Sequence, residues 1–161
     1  MKRTLSFITL FALLLTACVG EDGPPGQNGE LIVADAFRIT NVDFTSGNSF
    51  QETIEGFDFI ESDVALVYIK WLLDDGSVTW RQLSQTIFFN TGALIYNFDF
   101  TRDTVTFFLD GTVDFNVLDN SWTQNQEFRV VIVPATQVNG VDTSDINTVI
   151  ALGDIQNFEV R

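Results

Sequence analysis

The chain has 161 residues, enough for one domain after processing, and its 22 acidic against eight basic residues give a formal charge of −14. Such an excess of negative charge repels the phosphate backbone, so we expect no nucleic-acid partner. The chain has no histidine and one cysteine, which excludes histidine-dependent catalytic triads, histidine metal sites and an internal disulfide.

The first predicted element is an export signal over residues 1–17. Met1-Lys2-Arg3 carries positive charge, and the apolar run Leu5–Ala17 is too short to span a bilayer as a helix. The polar sequence Gly20-Glu21-Asp22-Gly23 follows almost at once. We therefore predict cleavage between Ala17 and Cys18.

Leu15-Thr16-Ala17-Cys18 resembles the lipobox of bacterial lipoproteins, which has a leucine, two small residues and then the modified cysteine. The resemblance implies a thioether-linked diacylglycerol on Cys18 and acylation of the new amino terminus. Several acyl chains on one residue make a stable membrane anchor, whereas one chain binds reversibly. The expected partner of the mature amino terminus is therefore a membrane, contacted through the lipid on Cys18.

Residues 18–30 are predicted to form a tether. Glycine recurs at every third position from Gly20 to Gly29, around the adjacent Pro24 and Pro25. This is the collagen period, but three triplets are too few for a stable triple helix, and an extended, flexible segment is the simpler interpretation.

The lipobox, the Gly-Pro-Pro-Gly tether and the Phe-rich and Val-rich remainder together resemble small collagen-like lipoproteins of Bacteroidota-type bacteria. In that group, acidic residues just after the lipidated cysteine direct display on the outer face of the outer membrane, and Glu21 and Asp22 lie in about that place. The resemblance implies a lipid-anchored, surface-exposed protein of the cell envelope, located in the outer membrane.

Residues 31–161 are predicted to form a single all-β domain, because apolar residues recur with the period of two that is typical of strands. Two strands are expected within residues 31–45 and 50–60. Val64–Leu73 is apolar on both faces, which indicates a central strand covered on both sides. Asp74-Asp75-Gly76-Ser77 then predicts a hairpin turn.

The second half of the domain continues this pattern. Alternation predicts strands over residues 93–101, 112–118 and 126–133, with turns at Asn90-Thr91-Gly92 and Asp110-Gly111. Ser144 is a candidate cap for a short helix ending at Gly153, and residues 155–160 predict a last strand. The expected fold is an antiparallel β-sandwich, immunoglobulin-like or jelly-roll-like, with 8–10 strands and one short C-terminal helix; a closed barrel is the alternative.

Calcium is the ion that suits this composition best, because it binds carboxylate and carbonyl oxygens. Asp110, Asp114, Asp119 and Asn120 lie close together in the sequence and are the candidate ligands, although their spacing does not match an EF-hand. The alternative is that these residues stabilise turns and solvate the surface. No other cofactor is expected.

Trp122 is the candidate for stacking against a sugar ring, because it lies in a polar stretch. Trp71 and Trp80 lie in apolar strands and are expected in the core. Asp103-Thr104-Val105 resembles the site at which exported Bacteroidota proteins are O-glycosylated, so Thr104 is a candidate for that modification; the alternative is that Thr104 begins a strand.

The predicted function is a non-catalytic role in display or binding at the cell envelope, with a glycan or protein as the ligand. The first alternative is a calcium-dependent or carbohydrate-binding adhesive module. The second is a glycan hydrolase with two carboxylates facing each other across a cleft, since 22 acidic residues allow such a pair. The oligomeric state is left open.

Overall fold

The computed structural model of the chain describes residues 34–161, and the predicted signal peptide, Ala17, Cys18 and the tether lie outside this range. The described residues form an all-β sandwich of two sheets, which confirms the predicted fold class. No helix among them combines the length and the apolar character needed to cross a bilayer.

The sandwich has a five-stranded sheet A, in the order β4-β3-β8-β1-β9, and a four-stranded sheet B, in the order β2-β7-β6-β5. Neighbouring strands are antiparallel except β1 and β9, which are parallel. The elements are β1 (Asp35–Val42), β2 (Gln51–Glu55), β3 (Asp63–Leu72), β4 (Val78–Gln82), β5 (Gln85–Phe89), β6 (Gly92–Phe100), β7 (Thr104–Gly111), α1 (Asn120–Thr123), β8 (Gln126–Pro134), α2 (Ile146–Leu152) and β9 (Glu159–Val160).

The main core lies between the two sheets, where alternate residues of each strand point inward. Phe107 of β7 stacks on Phe128 of β8 with ring centroids 4.2 Å apart, and both side chains are fully buried. The fully buried residues around them are Ile39, Val67, Ile69, Leu94, Tyr96, Val105 and Val130.

Sheet A is covered on its outer face as well. Ile146 and Val149 of α2 and the following Ile155 pack there against a second cluster, which includes Leu66, Tyr68, Val131 and Val133. This second layer explains why β3 and β8 are apolar on both faces. The sequence correctly identifies β3 as an interior strand, but the central strand of sheet A is β8, which pairs with β3 and β1.

Two of the predicted hairpin turns are present in the structure. Residues 73–77 connect β3 to β4, with Leu72 opposite Val78, and Gly76 adopts a φ of 81° in that turn. Residues 90–91 connect β5 to β6, with Phe89 opposite Gly92. The predictions of turns at these two places are confirmed.

Two predictions in the middle of the domain are wrong. Residues 112–118 do not form a strand, because Asp114 caps a single 3-10 turn at Phe115–Val117, and only Val113 of the four apolar residues in this segment is buried. Asp110-Gly111 is not a turn, because both residues are the last of β7 and pair with β6. Gly111 has a φ of 133°, and a Cβ there would lie 2.0 Å from the carbonyl oxygen of Ala93.

The C-terminal helix is confirmed as α2, which ends before Gly153. Its cap is Asp145 rather than Ser144: the Asp145 carboxylate accepts a hydrogen bond from the backbone N–H of Asn147. The last strand is shorter than predicted, with only Glu159–Val160 in β9.

The register of sheet A distinguishes its two ends. Asp35 lies opposite Ile132, and Asp63 lies opposite Pro134, so the first described residues are at the end we call the near end. Val42 lies opposite Gln126 at the other end, which we call the far end. The eight residue steps of β8 separate the two ends by roughly 26 Å at the usual strand rise.

Candidate functional site

A groove of ≈ 500 Å³ lies at the far end of the sandwich. Its apolar wall is formed by Trp71, Leu72, Val78, Tyr96 and Trp122, and its polar rim by Lys70, Ser121, Gln124, Asn125, Gln126 and Glu127. Aromatic walls with a few polar groups are typical of small-ligand sites. We call this feature the aromatic groove.

Trp71 enters the groove because of its position in β3. Val67 and Ile69 point into the main core, and Trp71, two residues further, continues the same face past the edge of that core. Its ring is therefore only partly buried, and the guanidinium of Arg81 lies 4.5 Å from the ring centroid. The prediction that Trp71 is a core residue holds for one side of the ring, while the other side lines the groove.

Trp122 reaches the groove from α1, a single helical turn that lies just before β8 in the chain and contacts it. The carboxylate of Asp119 accepts a hydrogen bond from the backbone N–H of Ser121 and caps this turn. The Trp122 ring packs edge-on against Phe89, with centroids 5.3 Å apart, and lies 5.9 Å from Trp71 at an interplanar angle of 56°. The two indoles therefore form an open aromatic corner.

The backbone under Trp122 is fixed by buried hydrogen bonds. The Tyr96 hydroxyl donates to the carbonyl oxygen of Trp122 at 2.5 Å, and the N–H of Phe44 donates to that of Thr123 at 2.7 Å. Burial raises the pKa of Tyr96 well above its usual value, so the hydroxyl stays a donor throughout the neutral range. The aromatic corner is thus anchored to both sheets.

The charged part of the rim is a three-residue ion-pair network. Glu127 accepts hydrogen bonds from Arg38 Nε at 2.5 Å and from Lys70 Nζ at 3.0 Å. The Arg38 hydrogen bond, together with the pairing to Lys70, holds the pKa of Glu127 below its usual value despite partial burial. Glu127 therefore remains ionised at neutral pH and is a poor general acid.

The proposed calcium ligands are not gathered into one group. Asp110 accepts a hydrogen bond from the N–H of Gly111, Asp114 from that of Asn116, and Asp119 from that of Ser121. Asn120 is the first residue of α1. No set of three metal-ligating side chains occurs within residues 34–161. Asp114 and Asp119 cap helical turns, which is the alternative that the sequence left open, whereas Asp110 lies in β7.

Thr104, the candidate glycosylation site, is the first residue of β7. Its hydroxyl lies 2.7 Å from that of Thr101 across the hairpin between β6 and β7, and it is partly buried. The alternative interpretation, that Thr104 begins a strand, is therefore confirmed. Modification of Thr104 stays a prediction.

A second depression, of ≈ 630 Å³, lies at the near end and is lined by Phe59, Ile60, Glu61, Asp63, Phe100, Thr101 and Arg102. Glu61 and Asp63 are the carboxylates there, and Asp63 accepts a hydrogen bond from the N–H of Ile60 at 3.0 Å. Replacing both carboxylates would test the hydrolase hypothesis, which stays a prediction.

Sequence analysis found one wall of the aromatic groove, Trp122, and missed the residues that complete it. Lys70 and Trp71 belong to β3, about 50 residues before Trp122 in the sequence. Glu127 belongs to β8, which begins shortly after Trp122. A signal was nevertheless present, since Lys70 and Glu127 are charged residues within or beside apolar strands.

Comparison of the chain with protein-family models, with curated proteins and with solved structures gives no match. A functional assignment therefore rests on the geometry of the aromatic groove.

Proposed function

We propose that this chain is a lipid-anchored, non-catalytic binding module of the cell envelope, and that its aromatic groove binds a glycan. The observation that carries the proposal is the pair of partly buried indoles, Trp71 and Trp122, at the far end of the domain. Indole rings offer apolar faces to the C–H groups of sugars while polar groups beside them bond to hydroxyls.

The rim supports a sugar ligand more than a purely apolar one. Gln124 and Asn125 place side-chain amides next to the aromatic corner, and Lys70 adds a charged donor. Amides supply both donors and acceptors, which matches the paired character of sugar hydroxyls. Asn125 is held with a φ of 54° by a hydrogen bond from its N–H to Asp43, so the rim is preorganised.

The position of the groove supports a role in display. The chain that precedes the domain joins it at Ala34, at the near end, whereas the groove is at the far end. A tether attached through Cys18 would therefore leave the groove on the side of the domain opposite its point of attachment. This arrangement suits a module that reaches for ligands outside the membrane that carries it.

The binding proposal is tested on an array of neutral and acidic polysaccharides, followed by titration calorimetry of the ligands retained. Trp122→Ala and Trp71→Ala should each weaken binding by about 30-fold, since removing a central tryptophan costs about 2 kcal/mol or more. Phe88→Ala is the matched control, because Phe88 is an aromatic residue that is 83% exposed and lies outside the groove. Unchanged affinity in both tryptophan variants would refute the proposal.

The anchoring proposal is tested separately on whole cells. Mass spectrometry of the mature protein should find acyl chains on Cys18, and protease treatment of intact cells should remove the domain. Cys18→Ser should release the protein from membranes. A Cys18→Ser protein that is processed normally and still sediments with membranes in high salt would show that the proposed lipid attachment is wrong.

A further inference from the structure

The two indoles of the aromatic groove face in different directions. The ring centroids of Trp71 and Trp122 are 5.9 Å apart, and the planes of the rings meet at 56°. A flat surface can lie against both rings only when the rings are coplanar. A ligand that contacts both indoles must therefore be narrow enough to enter the corner between them.

Neighbouring side chains hold this angle. Phe89 packs edge-on against the Trp122 ring, with centroids 5.3 Å apart, and the Tyr96 hydroxyl holds the backbone of Trp122. The Arg81 guanidinium lies over the Trp71 ring, 4.5 Å from its centroid, and covers one of its faces. Turning either indole into the plane of the other would break these contacts. The corner is therefore formed before a ligand arrives.

The indoles are also recessed. Both rings are only partly exposed, in contrast to Phe88, which is 83% exposed on β5. The groove around the indoles has a volume of ≈ 500 Å³. Sites for small ligands enclose roughly 300–1,000 Å³, so the groove has room for a short stretch of one glycan chain. The flat face of a crystalline polymer would contact one of the two indoles at most.

The lining of the groove offers no unpaired charge. Among the described residues that form it, only Lys70 and Glu127 are charged, and they pair with each other at 3.0 Å. Glu127 is bound by Arg38 as well. The Lys70 ammonium has three N–H donors, so it can still donate to a hydroxyl group. A carboxylate or a sulfate on a ligand would instead compete with Glu127 for this cation.

The domain around the groove is acidic. Residues 34–161 contain 19 acidic and six basic residues. Asp74 and Asp75 are in the turn between β3 and β4, and Asp119 directly precedes α1, which carries Trp122. These carboxylates therefore adjoin the segments that line the groove. They repel an anionic polysaccharide and do not affect an uncharged one.

We propose that the aromatic groove binds a single chain of an uncharged polysaccharide, rather than a crystalline polymer surface or a polyanionic glycan. This inference rests on the proposed function, because Trp71 and Trp122 hold the sugar rings. The angle between the indoles favours a narrow chain over a flat surface, and the pairing of Lys70 with Glu127 disfavours an anionic one. Gln124 and Asn125 supply amide donors and acceptors to the hydroxyls of the chain.

The first test compares crystalline and soluble forms of the same polymers, with the full-length protein. Depletion isotherms measure binding to microcrystalline cellulose and to crystalline chitin. Titration calorimetry measures binding to soluble oligosaccharides of cellulose, chitin, mannan, xylan and β-1,3-glucan. At least one soluble probe should bind. Neither crystalline polymer should bind within about 30-fold of it, the factor expected from losing the contact with one tryptophan.

The second test measures the preference for uncharged chains. Galacturonate and alginate oligosaccharides should bind about 10-fold or more weakly than the best uncharged probe, because they lack a free cation in the groove. Glu127→Gln releases Lys70 and should narrow this difference several-fold. Asp58→Asn is the matched control, because it removes the same charge from an exposed pair with Arg102 at 3.8 Å, outside the groove. It should leave the preference within about twofold of wild type.

The outcomes separate this inference from the function on which it rests. If a crystalline polymer or a polyanion binds as tightly as the best uncharged soluble probe, and Trp122→Ala abolishes that binding, the inference is refuted while glycan binding in the groove stands. If Glu127→Gln and Asp58→Asn change the preference equally, the role of the paired charges is refuted. If the wild type binds no probe, or if both tryptophan variants bind every probe as the wild type does, the groove itself is refuted. The comparison of probes uses the wild-type protein and decides the result even if a variant fails to fold.

Discussion

The hydroxyl of Tyr96 links the core of the sandwich to the aromatic groove, so its removal should affect both stability and ligand binding. Tyr96 is 1% exposed, and its hydroxyl donates to the carbonyl oxygen of Trp122. Tyr96→Phe keeps the ring in the core and leaves this carbonyl without its donor. We therefore expect both a loss of stability and a movement of α1, which carries Trp122.

The structure provides a matched control in Tyr68. This residue is also fully buried, and its hydroxyl donates to the carbonyl oxygen of Thr143 at 2.6 Å, on the outer side of sheet A. Each Tyr→Phe change should lower the free energy of unfolding by about 1–2 kcal/mol. For a domain of this size the expected fall in Tm is roughly 3–6 °C. Only Tyr96→Phe should also weaken ligand binding, by several-fold.

Urea denaturation and calorimetric titration with the tightest-binding probe measure the two effects separately. Equal loss of affinity in Tyr96→Phe and Tyr68→Phe would show that the link between the core and α1 does not position Trp122. A Tyr96→Phe variant as stable as the wild type would contradict the assigned hydrogen bond itself.

Three further changes test the core, a close backbone contact and the ion-pair network. Phe107→Ala should lower the free energy of unfolding by about 3–5 kcal/mol in urea denaturation, because it opens a cavity against Phe128. Gly111→Ala should abolish soluble expression or lower Tm strongly, because its Cβ would meet Ala93 at 2.0 Å. Glu127→Gln should cost about 1 kcal/mol at neutral pH, since its two cations are 41% and 39% exposed. The lowered pKa of Glu127 means that this contribution is present above about pH 4.3 and is lost as pH falls further, so variant and wild type should converge in acid.

Alternating apolar residues predicted the strands that have one buried face and one solvent-exposed face. In β6, Leu94 and Tyr96 are buried while Asp99 is exposed, and the alternation gave the right element. In β7 the buried Val105, Phe107 and Leu109 were obscured, because Phe108 makes the other face apolar too. The alternation of residues 113–117 was accidental, since Val117 is 73% exposed and Asp114 binds its own turn.

A residue of the aromatic groove could be predicted from the sequence only where its immediate neighbours in the chain distinguish it. Trp122 stood out because its neighbours are polar, and it does line the groove. Its partner Trp71 follows an apolar strand and looked like core, and only the pairing of β3 with β8 brings the two indoles together. Contacts between distant segments depend on strand order, which local periodicity does not specify.

The position of β1 between β8 and β9 has a consequence for how this domain is made. Both partners of the first strand come from the last third of the domain, so β1 stays unpaired until more than 80 further residues have been synthesised. Arg161 then closes that side, because its backbone bonds to Arg38 and Thr40 and its guanidinium donates to the carbonyl oxygen of Gly56 on the β2 side. Pairings so distant in sequence form slowly. An unfinished chain therefore lacks both partners of its first strand, and the native sandwich is completed only when the last residues of the domain are available.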